Sequence, residues 1–132
     1  MTFDTLPPII ATALSERDYT DLTPVQAAVI ELEAQGRDLI VSARTGSGKT
    51  VAFGLALADA LLAECRNVPL VERPLALVIA PTRELALQVS RELGWLYAGA
   101  GLRIATCVGG MDPSKERRAL RAGPAIVVGT PG

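Results

Sequence analysis

Four short apolar runs are spaced along this chain, separated by longer stretches in which apolar residues recur every three or four positions. Asp38-Leu39-Ile40-Val41-Ser42, residues 75–80, residues 102–108 and residues 125–128 have the length and composition of strands buried on both faces. Between and before them the period lengthens to that of a helix. In residues 6–17, Ile9, Ile10, Ala13 and Leu14 share one face, and Pro7 and Pro8 fit the first turn. A second helix opens at Thr23-Pro24-Val25-Gln26, with Thr23 as N-cap, Pro24 at the first helical position and Gln26 completing a capping box. It is predicted to run to about residue 34, with Gly36 ending it. Residues 51–63 form the third helix. Thr82 caps a fourth that runs to Tyr97 on Leu85, Leu87, Val89, Leu93 and Leu96. Asp112 caps a basic fifth helix over residues 113–121, which Gly123 ends. Strands alternating with helices predict an α/β fold, a parallel sheet with right-handed crossovers and helices on both faces.

In such sheets ligands collect beyond the carboxyl ends of the strands. The first strand end carries Ala43-Arg44-Thr45-Gly46-Ser47-Gly48-Lys49-Thr50, a phosphate-binding loop in pattern, with Ala43 where the strict pattern has glycine. Glycines 46 and 48 let several N–H groups converge on one point at a helix N-terminus, which favours a polyphosphate. Lys49 would reach the terminal phosphates and Thr50 would offer its hydroxyl to Mg2+. The bland reading is a glycine-rich turn with an incidental lysine. Eleven of the thirteen basic residues are arginine, which makes a lysine at this position informative. The other strand ends carry Pro81-Thr82-Arg83, Gly109-Gly110 and Thr130-Pro131-Gly132. Each alone reads as a turn; together they line one edge.

Composition narrows the field. At 132 residues, 49% of them hydrophobic, the chain holds one domain. A formal net charge of −1 excludes a globally basic nucleic-acid binder, so any such site is a local patch. Two distant cysteines, Cys65 and Cys107, and no histidine argue against a zinc site or a disulfide scaffold, and for a reducing compartment. The apolar stretch 51–63 is broken by Asp59 and too short to span a bilayer, so the expected setting is cytoplasmic, without a membrane.

Taken in order, these segments resemble the start of a DEAD-box RNA helicase. Thr23-Pro24-Val25-Gln26 is similar to the Q motif, Ala43–Thr50 to motif I, Pro81-Thr82-Arg83-Glu84-Leu85-Ala86 to motif Ia, Gly109-Gly110 to the double glycine and Thr130-Pro131-Gly132 to motif Ib. The chain departs from the family pattern at Asp18, where glycine is usual, and at Leu22, where proline is usual. The resemblance implies a RecA-like P-loop NTPase fold using ATP and Mg2+. Residues 1–36 would be N-terminal helices bearing the Q motif, and residues 37–132 the first part of the core. Nucleotide would be held by Tyr19, Gln26, Thr45, Gly46, Ser47, Gly48, Lys49 and Thr50, with Gln26 on the adenine edge and Phe3 the candidate stacking aromatic. Lys49 and Thr50 would serve catalysis and Thr50 the metal. Pro81, Thr82, Arg83, Gly110, Thr130, Pro131 and Gly132 would meet RNA phosphates and riboses.

The family's acidic motif, its Ser-Ala-Thr motif and its second RecA-like domain do not occur in these 132 residues. The chain therefore reads as an incomplete first domain. It is expected to bind ATP and RNA backbone without hydrolysing ATP by itself, and to be poorly stable and prone to association. Leu55-Ala56-Leu57-Ala58-Asp59 imitates an acidic strand end but falls inside a predicted helix, and Glu84 fits the first turn of its own. Two other readings stay open here: a P-loop kinase or transport ATPase, and a non-enzymatic nucleotide- or RNA-binding module. For the basic helix, with Lys115, Arg117, Arg118 and Arg121 around Glu116, a solvated face and a phosphate-reading face are equally open.

Overall fold

In the computed structural model residues 5–31, 36–44, 48–65, 74–110 and 112–131 are described. Phe3, the end of the predicted second helix and the predicted loop at 67–73 lie outside them. Helix α1 spans Pro8–Glu16 and buries Ile10, Ala13 and Leu14. It ends in a Schellman turn: the N–H of Asp18 bonds the carbonyl of Ser15 at 3.1 Å and that of Tyr19 the carbonyl of Leu14 at 3.0 Å. The left-handed residue such a turn requires is Asp18, at φ 62°. Helix α2, Pro24–Val29, has the predicted capping box, with Thr23 and Gln26 each accepting the other's backbone N–H.

Helix α3, Lys49–Cys65, packs on α2 and on α4, Arg83–Leu96. The α3–α4 seam is close because Gly54 has no side chain: a Cβ there would come within 2.4 Å of Leu96 Cδ2 and 3.1 Å of Leu93 Cδ2. Just beyond α4, the buried Tyr97 donates its hydroxyl to the Gly54 carbonyl. Burial pushes the Tyr97 phenol well above its ordinary value, and Asp59 adds to the effect.

Strands β1 (Ala76–Ile79), β2 (Ile104–Cys107) and β3 (Ile126–Gly129) form a parallel sheet in the order β1-β3-β2. Ala76 and Ile104 both stand opposite Ile126, so Ala76, Val78, Ile104, Ile126 and Val128 share a face. That face joins the main core with Ala86, Val89, Leu93 and Leu96 of α4. On the opposite face Ala105 and Val127 are buried, and α5, Pro113–Arg121, lies against β2.

Two sequence expectations are corrected here. Residues 38–42 are not a strand: among the described residues the backbone of 38–44 bonds to no other segment, and Ile40 stands fully exposed. An apolar run becomes a strand only by exchanging hydrogen bonds with a neighbour, and the described residues place none beside it. The second predicted strand is also not buried on both faces. Among the described residues β1 is an edge strand, paired with β3 alone, and Leu77 and Ile79 on its outer face are 67% and 63% exposed. The described sheet thus has three strands where four are predicted. In addition, α2 ends at Val29, capped by Ile30, short of the predicted 34.

Candidate functional site

The nucleotide-side residues gather where α2 meets the start of α3. Gln26 is fully buried, and both ends of its side-chain amide are fixed by their partners. Its Oε1 accepts the N–H of Thr23 at 3.0 Å, and its Nε2 donates to the carbonyl of Gly48 at 3.3 Å. A backbone N–H can only donate and a carbonyl only accept, so the amide has one orientation. The Gly48 carbonyl also accepts the N–H of Ala52 at 3.0 Å, the first bond of α3. Gly48 itself is at φ 86°, and a Cβ on it would fall 2.3 Å from Gln26 Nε2. Glycine is needed there twice over, for the backbone angle and for the approach of Gln26.

Lys49 and Thr50 follow as the first two residues of α3, half-buried, at the positive end of the helix. Thr45, Gly46, Ser47 and Gly132 lie outside the described residues. Tyr19 packs toward α4: its ring centroid is 5.8 Å from that of Trp95, and the guanidinium of Arg17 lies 5.0 Å from the Trp95 centroid on the same cluster. Glu92 accepts the Trp95 indole N–H at 3.0 Å. Two hollows, of about 410 and 570 Å3, flank residues 38–44, and neither is lined by Lys49 or Thr50.

The second group of residues is assembled by the sheet. Continuing the ladder past the strands, the N–H of Ala80 bonds Gly129 O at 2.9 Å and that of Thr130 bonds Cys107 O at 3.2 Å. The carboxyl ends of β1, β3 and β2 are thereby flush, and Pro81, Thr82, Arg83, Gly110, Thr130 and Pro131 stand along one edge. The Thr82 hydroxyl accepts the N–H of Leu85 at 3.2 Å and caps α4 as predicted. Gly110, at φ 80°, lies under the Arg83 side chain: a Cβ there would be 1.9 Å from its Nη2. Sequence motifs 27 positions apart are therefore in direct contact.

Carboxylates near these ends are committed to other tasks. Asp112 accepts the N–H of Ser114 at 2.9 Å as the cap of α5, and Glu116 accepts the N–H of Val108 at 3.0 Å at the end of β2. Sequence reasoning missed the second contact, because nothing in the spacing tells that α5 turns Glu116 toward the sheet. Burial, with Glu116 nearby, raises the Cys107 thiol above its ordinary range. Glu84 sits exposed in the first turn of α4, and Asp59 lies exposed within α3, as the decoy reading requires.

Parallel strands whose carboxyl ends carry small polar loops, with a glycine-turned helix start beside them, define a RecA-like α/β domain. The sequence matches the DEAD/DEAH box helicase family over residues 23–132, and the chain belongs to that family. It is 43% identical over 123 residues to the ATP-dependent RNA helicase CshA of Listeria monocytogenes, covering 93% of this chain and 22% of that protein. Among solved structures it resembles the RNA helicase Prp28 of Chaetomium thermophilum bound to ADP, with a TM-score of 0.83, 38% identity, and coverage of 96% of this chain and 31% of that one. Mss116, solved with single-stranded RNA and UDP-BeF, gives a TM-score of 0.85 at 30% identity, covering all of this chain and 28% of the other. The chain thus spans between a fifth and a third of the length of these relatives. Family membership sets aside the kinase and transport-ATPase alternative.

Proposed function

We propose that this chain is the ATP- and RNA-contacting first part of the leading RecA-like domain of an ATP-dependent RNA helicase. The observation that carries this reading is the hydrogen bond from Gln26 to Gly48, which ties the candidate base-reading side chain to the exit of the phosphate loop. Gln26 keeps one amide hydrogen and one lone pair unspent after its bonds to Thr23 and Gly48. That pair matches the N7 acceptor and N6 donor of adenine, where guanine presents two acceptors, N7 and O6. Capping and base reading are therefore compatible in one side chain.

The residues present fit a nucleotide polyphosphate and its metal. Gly48 turns the backbone at φ 86° into α3, and Lys49 and Thr50 follow it at a helix N-terminus. Lys49 would neutralise the terminal phosphates, while Thr50 would offer its hydroxyl to Mg2+, which when bound offsets phosphate charge. RNA would lie across Pro81, Thr82, Arg83, Gly110, Thr130 and Pro131. These offer amides, small residues and one guanidinium, groups that read phosphates and not bases. Cleavage of ATP additionally requires a carboxylate on the metal's far side and a group to orient water. Asp112 and Glu116 are engaged as described and Glu84 and Asp59 belong to helices, so we expect this stretch to bind without chemistry.

The test pairs binding with turnover. Lys49→Ala should weaken ATP binding roughly tenfold to a hundredfold, the loss of one charge-assisted contact. Gln26→Ala should collapse the ratio of ATP to GTP affinity. Phosphate release by the 132-residue chain that depends on Lys49 and rises with RNA would contradict binding without chemistry, and an unchanged ATP:GTP ratio would reduce Gln26 to a cap.

A further inference from the structure

Glu116 stands in the first turn of α5, where a carboxylate is ordinarily accounted for by the positive end of its own helix. Its hydrogen bond points elsewhere. Asp112 already serves that end, accepting the N–H of Ser114 at 2.9 Å, while Glu116 turns off the helix and accepts the N–H of Val108 through Oε1 at 3.0 Å.

The Val108 amide needs that partner. Successive residues of a parallel strand face opposite neighbours. The carbonyls of Arg103 and Cys107 accept the N–H groups of Ile126 and Thr130, at 3.3 and 3.2 Å, so the N–H of Val108 points to the other side of β2. Among the described residues no strand pairs on that side, and Val108 is only 3% exposed, which keeps water from its amide. Without the carboxylate the amide would be left unpaired, and the chain at the end of β2 would shift to regain a partner.

The bond holds the turn that comes next. Gly110, two residues on at φ 80°, lies so close under Arg83 that a Cβ there would be 1.9 Å from Nη2 and 2.9 Å from Cζ. Glu116 ties this turn at its start and the Asp112 cap ties it at its end, so the height of its backbone against the guanidinium is fixed from both sides.

We propose that Glu116 is a positioning residue for RNA: by holding the Val108 amide it keeps the Gly109-Gly110 turn under Arg83 and so sets that guanidinium toward the phosphate backbone. The proposal rests on the RNA reading given above. The role runs against the sign of the residue's charge. A carboxylate near a phosphate track repels it, so charge alone would make every neutral replacement bind RNA more tightly. Positioning gives a different order, in which the replacements that can still accept from Val108 bind and those that cannot are weakened, whatever their charge.

The experiment uses the full-length protein, with equilibrium affinities for ATP and for a single-stranded RNA of about 10 nucleotides measured well below each variant's thermal transition. Glu116→Ala should weaken RNA about tenfold, the scale of an amide left without its partner, and move ATP by no more than about twofold. Glu116→Gln, whose Oε1 can still accept, should bind RNA as tightly as wild type or more tightly. Glu116→Asp keeps the charge but is one methylene short of Val108, so it should weaken RNA as alanine does, and it carries the test if the alanine variant does not fold. Arg83→Ala should itself weaken RNA, and adding Glu116→Ala to it should cost no more than about twofold further, because the guanidinium being positioned is gone. Tighter RNA binding by both Ala and Gln would reduce Glu116 to a charge and overturn the proposal. Equal losses for ATP and RNA would make it a general support of the fold, and full additivity with Arg83→Ala would detach it from that residue; either overturns it. RNA binding that falls with Arg83→Ala but ignores Glu116→Ala and Glu116→Asp leaves the RNA reading standing and overturns this inference alone. Wild type that binds no RNA, or is indifferent to Arg83→Ala, overturns both.

Discussion

Asp18 shows how a single residue can depart from a family pattern at a measurable cost. It occupies the left-handed position of the turn that ends α1, at φ 62°, where glycine is free of steric penalty and aspartate is tolerated. The turn aims Tyr19 at Trp95, so the residue after the departure is fixed by it. Asp18→Gly should stabilise the chain by about 0.5 kcal/mol and Asp18→Val destabilise it by about 1 kcal/mol or more, measured by denaturant unfolding. Equal stability of the three would mean that the turn is not held in this form. The sequence already displayed this departure, and Thr23, Thr82 and Asp112 were legible as caps because capping is local. The packing of Tyr19 on Trp95 was not, since the two are distant in sequence and no periodicity links them. The Arg83–Gly110 contact was hidden for the same reason.

Helix and strand positions were readable to differing degrees. α4 and α5 fall where cap and period put them, because each helix carries its own start signal and apolar repeat. Residues 38–42 read as a strand on composition, yet strand formation depends on a neighbour that composition does not name. The α3–α4 seam was invisible as well: Gly54 looks like a flaw in a helix until Leu93 and Leu96 are placed against it. Gly54→Ala gains about 1 kcal/mol in helix propensity, but the clash at 2.4 Å with Leu96 should more than offset it, for a net loss of about 1–2 kcal/mol. A stabilised variant would mean that the seam yields easily. Tyr97 tests the same seam by pH. Its phenol is held protonated above its ordinary 10.0, so the unfolded chain releases that proton first. Stability from this group is complete below about pH 10 and falls as pH rises beyond it. Tyr97→Phe should cost about 1 kcal/mol at neutral pH and remove that share of the alkaline loss. A Phe variant whose alkaline unfolding curve parallels the wild type would assign the loss to other groups.

At the scale of the whole molecule, the decisive feature is what the sheet leaves open. Among the described residues β1 pairs on one side only, which leaves the other edge of its backbone to bond another chain. Its outer face adds Leu75, Leu77 and Ile79, alternate residues that are all exposed, and Ile40 on the unpaired segment stands fully in solvent. A free edge beside an apolar stripe is the combination that recruits other chains, and the single net charge does little to keep copies apart. The 132-residue chain on its own should therefore self-associate at micromolar concentration, with a sedimentation coefficient that rises with concentration and a broad thermal transition. Leu77→Lys with Ile79→Lys should shift it toward monomer without weakening the core, because both side chains point away from α4. The comparison separates two causes: if the double variant is monomeric, the apolar face drives association, and if it still associates, the open backbone edge does. A wild-type chain that remains monomeric with a sharp, reversible transition would show that the described strands and helices close a self-sufficient core.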